Sequence, residues 1–379
     1  MPRIRPSRLC IRYCNNILVG IILMCVCYGV LYYEDRNGTE MEYIISARIE
    51  GGKILILSWR RPWGNSWKGH GEGQEVGNCI LTYDRTRISE AAAVIFHYTA
   101  LDDEAMPWKH YRNKRQFFIF WTVDGPSYIR NAEDRHPKKF DNFINWTMTY
   151  RLNSDIFYPH LSMDMAKIIF SRRKEYVDDI LSKKSRLGIW VAHDCDILRG
   201  SKLRMKYIDK LIAAGLSIDR YGWCFGNKES YKKLSQEVLH SYKFYFAFED
   251  AEKCNDYVTS EFWEQSVYKG KVPVVWGTSK ATVEDLVPPG SFIHTDDFES
   301  PAQLAKYLRY LDKNDEAYRE YFNWNENPDE RTLEISKLYE QTGEVELCEK
   351  LQSKLLPKVT NDISLFHYGV DWGTCIDYE

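Results

Sequence analysis

Residues 243–277 read KFYFAFEDAEKCNDYVTSEFWEQSVYKGKVPVVWG, and this stretch decides the fold. FYFAF is a near-continuous apolar run, the pattern of a strand buried on both faces. EDAEKCND is a charged, turn-rich loop. Thr259 is placed to cap a helix that turns Phe262, Trp263 and Val267 inward. VPVVW then reads as a second buried strand, stopped by Gly277. Strand, loop, helix and strand in this order make a βαβ crossover, which implies a parallel sheet. Ligands of such sheets sit at the carboxyl ends of strands, beside helix N-termini that attract anions. The stretch therefore proposes a phosphate or nucleotide site at residues 249–261.

The same alternation extends in both directions. KILILSW (53–59), AAAVIFHY (91–98) and RQFFIFWTV (115–123) read as buried strands, and Met163 to Ser182 reads as helical. LGIWVAH (187–193) opens a second set. A helix over Lys202 to Ala214 carries Leu203, Tyr207, Leu211 and Ile212, and a strand is expected before Tyr221-Gly222. SFIHT (291–295) is a further strand. Ser300, Pro301 and Gln303 form a capping box whose helix buries Leu304, Leu308 and Leu311. The chain of 379 residues has room for two such α/β domains. Neither G-x-G-x-x-G before a helix nor a phosphate-binding P-loop occurs.

The net charge is −3 with basic and acidic residues interspersed, which argues against nucleic acid as a partner. The N-terminus differs. Arg3, Arg5, Arg8 and Arg12 precede an uncharged stretch, Ile17 to Tyr33, at the short end of what spans a bilayer. It reads as an uncleaved signal anchor rather than a cleaved leader, with the body lumenal. Two sequons, at Asn37 and Asn145, agree with a lumenal body. Cys10, Cys14, Cys25 and Cys27 lie in or beside the anchor. Cys79, Cys195, Cys224, Cys254, Cys348 and Cys375 lie in the body, permitting three disulfides in any of 15 connectivities. The CxxC spacing of zinc sites is absent. Asp194-Cys195-Asp196 has the D-x-D form of some metal-nucleotide sites, but so short a pattern reads better as structural or as the edge of a donor site, and no metal site is expected.

FAFEDAEKCNDYVTSEFW followed by KVPVVWG resembles the donor-binding signature of the α1,3-fucosyltransferases, glycosyltransferase family 10. Further matches cover nearly the whole body. They are Cys79-Ile-Leu-Thr82, Ala93-Val-Ile-Phe-His97, Asn145-Trp-Thr-Met-Thr-Tyr-Arg151 with Ser154-Asp155, and Arg204-Met-Lys-Tyr207. Asp219, Tyr221-Gly222-Trp-Cys224, Phe292-Ile-His294, Asp296-Asp297-Phe298, Ser300-Pro301 and Tyr321-Phe322-Asn323-Trp324 complete them. The resemblance implies two Rossmann-like domains facing a cleft, the B-type glycosyltransferase architecture, behind a single transmembrane helix. The expected layout is a cytoplasmic tail at 1–16, the anchor at 17–33, a short stem at 34–52, an acceptor domain at 53–184, a GDP-fucose domain at 185–350 and a tail at 351–379. It implies transfer of fucose from GDP-fucose, with inversion, to N-acetylglucosamine-containing glycans of glycoproteins or glycolipids at the Golgi membrane. It requires no cofactor, and leaves room for stimulation by a divalent metal.

An inverting transfer needs a base for the acceptor hydroxyl and positive charge or N–H groups for the departing diphosphate. Asp124 aligns with the family's catalytic glutamate, one methylene shorter, directly after a strand; read alone it is an Asp-Gly-Pro turn. Arg204 matches the donor-binding arginine, and read alone is a solvated helix arginine. Tyr257 matches a donor-contacting tyrosine; Glu249, Asp250 and Thr259 complete the donor set. Ser260 and Glu261 depart from it, because they stand where the family has Glu-Lys. Glu261 is expected to place negative charge near the diphosphate unless Lys253, Lys269 or Lys271 compensates. The rival readings are an inactive or weak homologue that still binds glycan or nucleotide, and a transferase using another sugar nucleotide through Asp194-Cys195-Asp196.

Overall fold

The computed structural model describes residues 52–62, 71–102, 106–109, 111, 113, 116–250, 254–353 and 363. The anchor stretch, Asn37, Lys253 and Cys375 lie outside the described residues. Among the described residues no helix is long and apolar enough to cross a membrane.

The first sheet contains β1 (Ile54–Ser58), β2 (Glu75–Val76), β3 (Cys79–Thr82), β4 (Ala93–His97), β5 (Phe117–Thr122), β6 (Trp146–Thr149) and β7 (Ile156–Phe157). Their order is β2-β3-β1-β4-β5-β6-β7. Only the short β2–β3 pair is antiparallel. The second sheet contains β8 (Arg186–Val191), β9 (Ile218–Tyr221), β10 (Tyr242–Phe248), β11 (Val272–Trp276) and β12 (Ile293–His294). Its order is β12-β11-β10-β8-β9, parallel throughout.

The apolar runs explain themselves in this setting. Every residue of β1, β4, β5 and β10 is buried, as expected for strands covered on both faces. β10 and β11 pair from Phe244↔Val272 to Phe248↔Trp276. Between them, Thr259 caps a short α turn that continues as a π turn, burying Phe262, Trp263 and Val267. Gly188 in β8 is required by packing, because an added Cβ would lie 2.8 Å from the Phe246 ring.

Helices cross between the sheets. The stretch expected as one helical segment is two, Met163–Ser171 and Lys174–Ser182. They part where Arg172 and Arg173 turn extended and the Arg172 guanidinium donates to the carbonyls of Val267 and Tyr268. Ala166 and Ile169 join Val191, Tyr245 and Val275 in the second sheet's core, and Val177 and Ile180 join its other face. Packing therefore assigns residues 163–182 to the second unit, rather than to a first domain running to residue 184. The reverse holds at the other end. Gly343–Gln352 lays Leu347, Cys348 and Leu351 against Ile54, Ile56 and Cys79 of the first sheet. Cys348 is disulfide-bonded to Cys79. The second unit thus ends before residue 350, and the chain returns to its starting sheet.

Cys195 and Cys224 form a second disulfide, and Cys254 is also disulfide-bonded. The sequon at Asn145 requires a correction. Asn145 is 1% exposed, and its Oδ1 accepts from the Phe118 N–H at 2.7 Å as β6 begins beside β5. A glycan on that amide is incompatible with the folded sheet.

Candidate active site

The carboxyl ends of both sheets meet at a cleft of about 460 Å³. From the first unit it takes Tyr128 and His160. From the second come Arg204, Glu249, Asp250, Tyr257 and Thr259–Glu261, with His193, Asp194, Ile197 and Trp223 on its outer side.

Arg204 belongs to the helix Arg199–Ala213, which begins a turn earlier than its sequence pattern suggests. Its buried stripe is Ser201, Arg204, Ile208 and Leu211, whereas Leu203, Tyr207 and Ile212 are half-buried. Arg204 is 6% exposed, so it is no solvated helix arginine. One Nη donates to Phe248 O and the other to Asp194 O, each at 2.7 Å. Nε is buried with no hydrogen-bond partner among the described residues. The carbonyls of the β8 and β10 ends hold the guanidinium in place without neutralising it.

Glu249 follows β10 directly and is buried. Its carboxylate accepts the Thr259 N–H at 3.1 Å and the Thr259 hydroxyl at 2.9 Å. It therefore ties the strand end to the helix start. Burial first, then the charge of Asp250, pushes its pKa well above the usual carboxylate range. The helix start expected to receive an anion is already occupied by this side chain.

Glu261 faces the cleft. Its Oε2 accepts from the Tyr245 hydroxyl. Burial raises its pKa, against the lowering effects of the Tyr245 hydrogen bond and the Arg204 charge. Neither described lysine of the expected three lines the cleft. Lys269 Nζ is bound to the Gln265 side chain at 2.6 Å, and Lys271 Nζ to the Gln265 carbonyl at 2.9 Å. Arg204 is consequently the only lysine or arginine lining the cleft among the described residues.

Tyr257 is buried, edge-on to Tyr150 with ring centroids at 5.0 Å and to His160 at 5.7 Å. A Cβ added at Gly125 would lie 3.5 Å from its ring, so the Asp124-Gly125 turn abuts the donor-side tyrosine. Asp124 follows β5, where its N–H donates to Thr122 Oγ1 at 3.0 Å. Its Oδ2 is buried with no partner inside hydrogen-bond distance among the described residues. Burial pushes its pKa up to about 6; the nearby Tyr98 hydroxyl opposes that rise, while Asp250 and Glu133 add to it. His160 fixes this corner by donating from Nε2 to the Val123 carbonyl at 2.9 Å.

Asp194 is engaged by its own loop. It accepts the Ile197 N–H at 3.1 Å and the Ser201 hydroxyl at 2.6 Å, while Cys195 is in a disulfide. Among the described residues no cluster of three metal-ligating side chains occurs.

Residues 51–161 match the profile "Fucosyltransferase, N-terminal", and 181–366 match "Glycosyltransferase family 10 (fucosyltransferase) C-term". The chain belongs to glycosyltransferase family 10, the fucosyltransferases.

Among curated relatives, a 4-galactosyl-N-acetylglucosaminide 3-alpha-L-fucosyltransferase from Pongo pygmaeus (FUT6) is 34% identical, covering 83% of this chain and 86% of its own. The Homo sapiens protein of that name is 32% identical with the same coverage. A second Homo sapiens enzyme with that activity in its name (FUT5) is 33% identical over 72% of this chain and 70% of its own. A crystal structure of an alpha1,3-fucosyltransferase with GDP shares the fold, at TM-score 0.50 and 14% identity, over 84% of this chain and 97% of that one.

Of the residues expected from the sequence of this fucosyltransferase, Arg204, Glu249, Asp250, Tyr257, Thr259, Ser260 and Glu261 line this cleft, whereas Asp124 is not in its lining and lies close enough to Asp250 to feel its charge. The sequence does not single out Tyr128, His160, His193, Ile197 or Trp223. These come from segments far apart in sequence, and of them Trp223 lies within Tyr221-Gly222-Trp-Cys224, a stretch marked only by the family resemblance.

Proposed function

We propose that this fucosyltransferase transfers L-fucose from GDP-fucose, with inversion, to a hydroxyl of N-acetylglucosamine in glycoprotein or glycolipid glycans, in α1,3 linkage. The observation that carries the reading is Asp124. A carboxyl with a pKa near 6 follows a strand of the first unit, and its neighbour Gly125 lies against the Tyr257 ring, which lines the same cleft as the buried Arg204. The acceptor hydroxyl gives its proton to Asp124 as its oxygen attacks the fucose anomeric carbon. The bond from that carbon to the diphosphate breaks on the opposite face, and GDP departs with its charge. A pKa near working pH suits a base that must be ionised before the step and protonated after it. Arg204 offers the fixed positive charge that a departing diphosphate needs. Tyr257, Glu249, Asp250, Thr259, Ser260 and Glu261 shape the donor side.

No resident cofactor enters this scheme, because the leaving group is met by a guanidinium; a divalent ion would act only with the diphosphate. We further propose a single-pass type II protein of the Golgi membrane, anchored by residues 17–33 with positive residues before them. Disulfides in the body fit an oxidising lumen.

One observation favours a second reading, a homologue weak in donor binding. Glu261 sits in the cleft near Arg204, where the family carries lysine. The test is GDP release from GDP-fucose by the full-length chain, with and without acceptors terminating in N-acetylglucosamine. Acceptor-dependent release that disappears in Asp124→Asn supports the transferase. An inactive parent restored by Glu261→Lys supports the second reading. Activity abolished by EDTA would point instead to a metal-dependent transferase with another donor.

A further inference from the structure

Trp223 is 65% exposed, a large aromatic left at the mouth of the cleft. Isolated exposed apolar residues are ordinary. This one is held rigidly. Gly222 has φ of +114°, and an added Cβ would lie 2.1 Å from Ala192 O, so only glycine turns the chain here. Gly222 N–H donates to Asn227 Oδ1 at 3.0 Å, and Cys224 N–H to Ala192 O at 3.2 Å. The Cys195–Cys224 disulfide ties this turn to the loop after β8, which carries His193 and the 57% exposed Ile197. Lys228 Nζ lies 4.2 Å from the Trp223 ring centroid. Two loops are thus clamped together with an exposed indole on one and an exposed isoleucine on the other, both lining the cleft.

Sheet order says what lies there. The ends of β10, β8 and β9 follow one another, each strand about 4.8 Å from the next. Glu249 follows β10, Arg204 is bonded to the ends of β10 and β8, and Trp223 follows β9. A donor with its diphosphate at Arg204 and its sugar toward the first unit would direct its nucleoside end to the second unit's loops after β8 and β9, which carry His193, Ile197 and Trp223 in the same cleft.

We propose that Trp223 is the stacking platform for the purine base of the donor nucleotide, with Ile197 as an apolar neighbour of the base and the Cys195–Cys224 disulfide holding the platform in position. The inference rests on the nucleotide-sugar transferase reading above. A purine presents a flat π face, and stacking on an aromatic side chain contributes binding whatever the hydrogen-bonding edge. His193 adds a polar group. Its Nδ1 accepts the Trp223 N–H at 3.4 Å, leaving Nε2–H as a donor, which suits the acceptor atoms N7 and O6 of guanine.

The test uses the full-length chain, with Trp223→Ala and Trp223→Phe, and GDP as the probe. GDP affinity is measured by calorimetry, and KM for donor and acceptor and kcat by GDP release. Because Trp223 is exposed, both variants should melt with the parent. The expected result is a loss of GDP affinity in Trp223→Ala of roughly fivefold to a hundredfold, the range for one base–aromatic stack. The donor KM should rise in parallel, kcat and acceptor KM should stay put, and Trp223→Phe should recover most of the loss. A raised acceptor KM with unchanged GDP affinity would make Trp223 a sugar platform and overturn the proposal. Unchanged constants throughout would overturn it too, leaving the transferase reading intact. A parent that binds neither GDP nor GDP-fucose would remove both.

Discussion

Replacing Asp124 with asparagine should make the protein more stable and slow the reaction severely. The carboxyl has a pKa of about 6 in the folded chain, against an ordinary aspartate value of 3.8. That difference, about 2 pKa units, corresponds to roughly 3 kcal/mol at about 1.4 kcal/mol per unit. The sign follows from proton binding. Between pH 4 and 6 the folded state holds more of this proton than the unfolded state, so stability is lost as pH rises through that window and the full penalty is present at pH 7. Asparagine has nearly the same shape and no charge, so it removes the penalty along with repulsion from Asp250 and Glu133. The contact with Tyr98 returns part of the gain, leaving an expected stabilisation of about 1–3 kcal/mol at pH 7 and little at pH 4. Catalysis moves oppositely. Loss of a positioned base costs about 10²–10⁴-fold in kcat. The parent's kcat/KM should fall as pH drops below about 6, and that limb should vanish in the residual activity of the variant. The assays are thermal or denaturant melts at pH 4 and 7, and GDP release with an N-acetylglucosamine acceptor from pH 5 to 8. Turnover equal to the parent's would refute the base role. A variant less stable than the parent at pH 7 would refute the argument that this carboxylate is held at a cost.

Glu261→Gln removes a buried carboxyl near Arg204 and should lower the donor KM about tenfold, equivalent to about 1.4 kcal/mol; donor titrations at fixed acceptor check this, and a higher KM would mean that Glu261 contacts the donor favourably. Arg204→Lys cannot span both the Phe248 and Asp194 carbonyls, so it should lose about 2–4 kcal/mol of stability in melts and raise the donor KM. Replacing Cys79 and Cys348 together with serine opens a cross-link between residues 269 apart; chain entropy gives up to about 5–6 kcal/mol of lost stability, read as an earlier denaturant midpoint, while removal of Cys195–Cys224 should cost less.

Several elements were legible because their signal is local. A strand covered on both faces must be apolar at successive positions, so β1, β4, β5, β8 and β10 are readable without any partner in view. Thr259 and Ser300 sit where a helix start needs a side-chain acceptor, and both serve as caps. Asp124 follows a readable strand, which places it at a sheet's ligand-binding end before any geometry is known. The helix Arg199–Ala213 was legible as a helix, yet its apolar spacing pointed to Tyr207 and Ile212, whereas the buried stripe runs through Arg204 and Ile208. Arginine at that position is held by carbonyls from the end of β10 and from the loop after β8, which no hydrophobic pattern records.

By itself the sequence determined the parallel α/β architecture, the positions of most strands, and the family signature that gathers residues 249–261, because periodicity and capping depend on a residue's own segment. Tertiary structure decided the rest. It determined that helices 163–182 and 343–352 each pack on the other unit's sheet, that Asn145 is an internal sheet amide, and that Glu249 takes up the helix start meant for an anion. It also set Glu261 against the Tyr245 hydroxyl, within electrostatic reach of Arg204 and Lys269, and placed Trp223 at the cleft mouth. Each of these outcomes depends on what another segment brings across the gap, and the free energy that settles it is a pairwise property of groups far apart in the chain.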